Sequence, residues 1–219
     1  MVNNKKIDGN VAFKVTYTDS NWSGVCSQDL ALKNCAKKDW CIRQSEFIEN
    51  CQHPKFSNSD NLNKKFSPCF DSIAQKELMF YAGHFHSEDK DGIPKTALDI
   101  KKGKIALFTS KEPGSEEIDR FIFAIGRISE VELVKDEYGD FKQYICDKDS
   151  AIIFKHKRPK FWKYYTNKNA PTRAAWNSLL FRYIDDALVI QILKDIAFKN
   201  RFPGEYRKRA ENLLGYINS

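Results

Sequence analysis

Between Phe154 and Tyr183 the chain reads FKHKRPKFWKYYTNKNAPTRAAWNSLLFRY, with eight lysines and arginines, eight aromatic residues and no carboxylate. Basic side chains neutralise phosphates and flat rings stack on bases, so this mixture points to nucleic acid. Lys155, Lys157, Arg158, Lys160, Lys163 and Arg173 are the expected phosphate contacts. Phe154, Leu179, Leu180 and Phe181 have apolar company and are expected in a core. Trp162, Tyr164, Tyr165 and Trp176 stand among charged or polar neighbours. Two tryptophans with tyrosines can enclose an extruded or modified base by stacking and cation–π contact. The charge is local: the chain has 36 basic and 29 acidic residues, and outside Ser150–Ile184 the counts are 28 and 29. Clustered charge makes a footprint for a polyanion, which a uniformly raised isoelectric point does not.

A second group of reactive side chains lies nearer the N-terminus. Cys26 (SGVCSQ), Cys41 (DWCIRQ), Cys51 (ENCQHP) and Cys69 (SPCFDS) occupy turn-like contexts in a polar, irregular segment. The sequence contains no run of 18 apolar residues, and its opening, MVNNKKIDGNVAFKV, is basic without an apolar core. Both features predict a cytosolic chain with no membrane span. Disulfides are rare in that compartment, so converging thiolates call for a cation, and tetrahedral zinc is the commonest. A structural zinc on Cys26, Cys41, Cys51 and Cys69 is expected, with Cys35 and His53 as substitute ligands and an iron–sulfur cluster as the less favoured cofactor. A segment with little core of its own gains stability from such a metal. The other reading is a set of free thiols, some buried as small hydrophobes. Cys146 alternates within an apolar strand and is expected in the core.

Catalytic chemistry has fewer candidates. His84 and His86, in AGHFH, share one face of an expected strand, with Asp89 or Asp91 as a third ligand. DEYGDFK (Asp136–Lys142) imitates a nuclease E-x-K strand, and solvated loop charges explain it more simply. The H-E-x-x-H, P-loop and G-x-S-x-G patterns are absent from the sequence.

The elements that would position these residues follow from periodicity. Val11–Tyr17, Glu77–His86, Lys101–Ser110 and Arg120–Val134 read as strands, and YGDFKQYICDKDSAIIF as a hairpin with DKDS at its turn. Three helical patterns follow: TRAAWNSLLFRYI with Thr172 as N-cap, DDALVIQILKDIAFKN with carboxylates in its first turn, and PGEYRKRAENLLGYI. Strands first and helices late predict an α+β fold on a curved sheet or small β-barrel.

IKKGKIALFTS followed by RFIFAIGRISEV resembles the paired core strands of the PUA-like superfamily, in particular its EVE and YTH branches. The matching positions are Lys102, Gly103, Ile105, Phe108, Ile125, Gly126 and Ile128, and the likeness extends over roughly Glu77 to Ile196. Lys104 departs from it, standing where the family turn has aspartate. The resemblance implies a curved sheet flanked by helices that reads a modified base in DNA or RNA through an aromatic cage. It implies Trp162, Tyr165 and Trp176 as that cage, Tyr164 as substitute, and Ser110, Asn167, Asn169 and Asn177 as hydrogen-bonding groups for the base edge. It further implies a sensor of restriction or anti-phage defence, working with an effector nuclease or NTPase in the parent chain or a neighbouring gene. The resulting expectation is one domain over residues 1–219: a cysteine-rich insertion at 26–72, a PUA-like core at 77–198 and a C-terminal helix at 203–219. The alternatives are a metal-dependent nuclease using His84 and His86, and a protein-interaction module whose basic face meets an acidic partner.

Overall fold

A computed structural model of the chain describes residues 9–15, 17, 77–81, 99–112, 114–136, 139–168, 170–176 and 180–218. The chain divides into two compact units. The first comprises Met1–Val15, Leu78–Lys111 and Ser115–Ser219, and the second Thr16–Glu77 with Glu112–Gly114. In the second, Tyr17, Glu77, Glu112 and Gly114 are the described residues. The expected metal ligands Cys26, Cys41, Cys51 and Cys69, their substitutes Cys35 and His53, and the group His84, His86, Asp89 and Asp91 therefore lie outside the described residues.

Among the described residues the first unit is α+β: a mixed seven-stranded sheet with two helices. Its strands are β1 (Asn10–Lys14), β2 (Met79–Tyr81), β3 (Ile105–Ser110), β4 (Phe121–Asp136), β5 (Gly139–Cys146), β6 (Ile152–Ile153) and β7 (Phe181–Ile184). The order is β2-β5-β4-β3-β1-β7, with β6 paired to β4; β1 and β3 run parallel and the other pairs antiparallel. Helix α1 (Asp186–Phe198) and helix α2 (Gly204–Asn218) follow. Among the described residues no helix is long and apolar enough to cross a membrane.

IALFTS is buried at every position of β3, as a strand covered on both faces must be. On one face Ala12, Ile105, Leu107, Ile122, Ile125 and Ile152 pack with the helices. In α1 Val189, Ile192, Leu193, Ile196 and Ala197 are buried, the i, i+3, i+4 stripe of an amphipathic helix. Its N-cap is Asp185, whose carboxylate accepts from the Leu188 amide at 2.9 Å. On the other face Phe13 stacks on Phe80 at 4.0 Å and meets Phe108 and Tyr144 at 5.5 and 6.0 Å. Strands β1 and β2 stand four places apart in the sheet, about 19 Å if it were flat. Ring contact between them requires the sheet to coil strongly. Gly126 permits the close packing where β4 passes the end of β5: a Cβ there would stand 2.9 Å from Cys146 Cβ. Cys146 is a core residue as expected, 3% exposed, and burial pushes its thiol well above the usual range.

Two elements differ from their sequence readings. YGDFKQYICDKDSAIIF was expected to be a hairpin and does turn within DKDS, but its strands β5 and β6 both pair with β4, at Ile128–Asp136 and Ala124–Ile125, and not with each other. TRAAWNSLLFRYI was expected to be helical from Thr172, yet Phe181–Ile184 forms β7. The edge of β1 opposite β3 presents unpaired backbone groups, and β7 satisfies them in the register Asn10↔Ile184 to Phe13↔Phe181. A short apolar run fits either period, and here the pairing decided it.

Candidate nucleic-acid interface

Strand directions bring one set of ends together. The C-terminal ends of β1 and β3 lie beside the N-terminal ends of β4 and β7, gathering Lys14, Thr109, Ser110, Arg120 and Arg182 at one end of the sheet. The basic segment is fixed to that end by backbone bonds. Ile122 N–H donates to Pro159 O, and Phe161 N–H donates to Arg120 O, both at 2.8 Å.

Phe161–Lys163 is a short 3-10 turn anchored by the fully buried Phe161. Residues three apart eclipse in such a turn. Trp162 and Tyr165 accordingly meet edge to face at 5.8 Å. Trp176 joins them from the following segment, 6.3 Å from Trp162 with the ring planes at 81°. The three rings that the sequence singled out are thus assembled, with Trp162 and Tyr165 half-buried and Trp176 only 8% exposed.

Arg182 ties the assembly. Its guanidinium lies 5.1 to 5.8 Å from the centroids of all three rings. Nη1 donates to Tyr165 Oη at 3.2 Å and Asn167 Oδ1 at 3.0 Å, and Nη2 donates to Ala175 O at 2.8 Å. Asn167 Nδ2 closes the loop by donating to Arg173 O and Ala175 O. Asn167 is therefore a strut of the ring cluster.

Arg120, 2% exposed, lies 4.9 Å from the Trp176 ring. It donates through Nε and Nη2 to both oxygens of Glu117, and through Nη1 to Thr109 Oγ1 at 3.5 Å. Glu117 also accepts from Trp162 Nε1 at 3.3 Å, so one carboxylate fixes both a buried cation and a ring. Lys14 comes to the same place from β1. Burial, then the positive charge of Arg120, holds its ammonium below the usual lysine range; Lys111 and Arg182 act the same way and Glu117 opposes them.

The remaining expected residues divide. Lys155, Lys157 and Arg173 are exposed, and Lys157 adopts a left-handed φ of 54° within the basic loop. Arg158 lies 3.7 Å over the Phe121 ring. Lys160 pairs with Asp119 and Lys163 with Asp195, each at 2.7 Å. Tyr164 turns away from the ring cluster toward α1 and donates to Asp195 Oδ2 at 2.9 Å. Burial and that bond push its hydroxyl up to about 12. Ser110, at the correct end of β3, is 2% exposed and donates to Val15 O at 3.0 Å. Asn169 and Asn177 lie outside the described residues. Asp136 pairs with Gly139, so the first and fourth residues of DEYGDFK are the end of β4 and the start of β5. Among the described residues no three His, Cys, Asp or Glu side chains group as metal ligands would.

Sequence reasoning missed Arg120, Glu117 and Lys14 and gave Arg182 no role beyond charge. The available signal was a single cation beside or within an apolar strand, DRFIFAI for Arg120 and LLFRYI for Arg182, because a buried charge needs a partner nearby. At the opposite end of the sheet Lys104 pairs with Asp186 at 3.5 Å beside a cleft of about 280 Å³. Compared with known proteins, the chain matches no family model, no curated protein and no solved structure.

Proposed function

We propose that this chain is a nucleic-acid-binding module that receives an extruded, modified base against Trp162, Tyr165 and Trp176. The observation that carries this reading is the assembly of three rings from two segments of the chain around one guanidinium, next to a loop of exposed cations. The base meets Trp162 and Tyr165 first, Trp176 forms the floor, and Lys155, Lys157 and Arg173 hold phosphates. A PUA-like architecture belongs to the same proposal. It is supported by the antiparallel β3–β4 pair that carries Ile105, Phe108, Ile125, Gly126 and Ile128, with Lys102 and Gly103 in the turn before β3, and by the coiling of the sheet. A structural zinc on Cys26, Cys41, Cys51 and Cys69 and a sensor role beside an effector nuclease or NTPase complete it. Metal content of protein purified without chelator tests the zinc.

The test of the base site is Trp162→Ala. Stacking on one ring is worth about 1–3 kcal/mol per base. Affinity for oligonucleotides carrying a modified base should fall about 10- to 100-fold, while affinity for unmodified strands and the melting temperature stay near wild type. A folded Trp162→Ala protein that still prefers the modified strand removes the cage from this account. Magnesium-dependent cleavage of the same strands would replace the reader with a nuclease.

A further inference from the structure

Lys14 has no carboxylate within ion-pairing distance among the described residues, although it is half-buried. Its strand register explains the company it keeps. Lys14 is the partner of Thr109, whose hydroxyl accepts from Arg120, and Ala12, two residues earlier on the same face, is the partner of Arg182. Side chains two apart on a strand point the same way, so Lys14, Arg120 and Arg182 converge on one face at one end of the sheet. Among the described residues the charges that act on Lys14 are those of Arg120, Lys111 and Arg182 and one carboxylate, Glu117, which is already bonded to Arg120 and Trp162.

The second observation is an orphaned donor. Arg182 uses both terminal nitrogens, but its Nε is buried and makes no hydrogen bond among the described residues. A buried N–H without an acceptor is costly, and on a guanidinium facing an excess of positive charge the missing partner is an anion. We infer that Lys14 and the Nε edge of Arg182 form an anion site that takes a phosphate of the nucleotide whose base meets the rings. The ligand class is then a phosphorylated nucleotide, and a free nucleoside lacks half of what the site recognises. This inference rests on the proposed base site for its nucleotide part alone; the anion site stands on Lys14 and Arg182.

Calorimetric titration of the full chain with the four deoxynucleoside 5′-monophosphates, the matching nucleosides and inorganic phosphate tests it. The nucleotides should bind at least about 10-fold more tightly than the nucleosides, and Lys14→Met should abolish that difference while Lys14→Arg keeps it. Lys14→Met should melt no lower than wild type, because it removes a desolvated charge repelled by its neighbours. A structural lysine would give the opposite sign. Phosphate binding that is lost in Lys14→Met, with no gain from any base, would uphold the anion site and overturn the base reading. Nucleosides binding as tightly as nucleotides, or a Lys14→Met protein that melts lower and loses all ligands alike, would overturn the anion site.

Discussion

Arg120 and Asp195 hold charge by opposite means. Arg120 is enclosed and relies on one bidentate partner, Glu117. Asp195, partly buried on α1, is surrounded by Lys163 at 2.7 Å, Lys199 at 2.8 Å, Arg201 at 3.9 Å and the Tyr164 hydroxyl. Burial raises the Asp195 pKa, but the bonds from Lys163, Lys199 and Tyr164 outweigh it and hold the carboxyl below the usual carboxylate range. A depressed folded pKa contributes stability above the unfolded value, near 4, and that contribution is lost as pH falls through the folded pKa. Asp195→Asn should therefore melt lower than wild type at pH 7, by about 1–2 kcal/mol for a partly exposed network. The gap should close progressively below about pH 4. A gap that stays constant down to the acid limit would mean the carboxylate charge is not what Asp195 contributes. Neither network was legible beforehand: Glu117 is three residues from Arg120 and Lys199 four from Asp195, but Lys163 and Tyr164 reach Asp195 across more than thirty residues, and type alone does not say which cation faces which carboxylate. The ring cluster was legible because 3-10 spacing and local crowding bring Trp162 and Tyr165 together without long-range information.

At the scale of elements, strands and helices with sustained periodicity could be read directly, as α1 and β3 illustrate, whereas β7 could not. Its four residues acquire their conformation from β1, a partner about 170 positions away. Turns are local and can be tested locally. Gly103, before β3, has φ +85°, donates its N–H to Ile128 O at 2.7 Å, and would place a Cβ 2.8 Å from the Tyr216 hydroxyl. Two costs are separable there. Left-handed backbone costs a non-glycine residue about 1–2 kcal/mol, and the contact adds to it only while the hydroxyl is present. Gly103→Ala should destabilise by about 1–3 kcal/mol, and Tyr216→Phe in that background should recover the contact part while leaving about 1 kcal/mol or more. If the double variant melts like Tyr216→Phe alone, backbone strain is not the reason for glycine. Gly103 was noticed in the sequence as part of a resemblance; its physical reason is this turn.

For the whole molecule the question is which charges remain to meet a polyanion. Counting basic residues between Ser150 and Ile184 treats them alike, and that count was the sequence argument for nucleic acid. The fold sorts them. Lys160 and Lys163 are spent on Asp119 and Asp195, residues of other elements that the local count could not include. The terminal nitrogens of Arg182 are spent on the ring cluster, while Lys155, Lys157 and Arg173 are exposed. A cation already paired in the free protein releases fewer counterions from DNA when it binds, so the two groups should differ in salt dependence. Each phosphate contact contributes about 0.9 to the slope of log affinity against log salt on duplex DNA. Lys155→Ala, Lys157→Ala and Arg173→Ala combined should flatten the slope by about 3, and Lys160→Ala with Lys163→Ala by less than about 1. Both sets should weaken binding to all sequences without changing preference for a modified base, because phosphates carry no sequence information. Fluorescence anisotropy with one oligonucleotide across a range of salt concentrations measures both slopes. Equal flattening by the two sets would show that the ion pairs open on binding and that the footprint is the whole stretch; an unchanged slope in both would place the polyanion elsewhere on the chain.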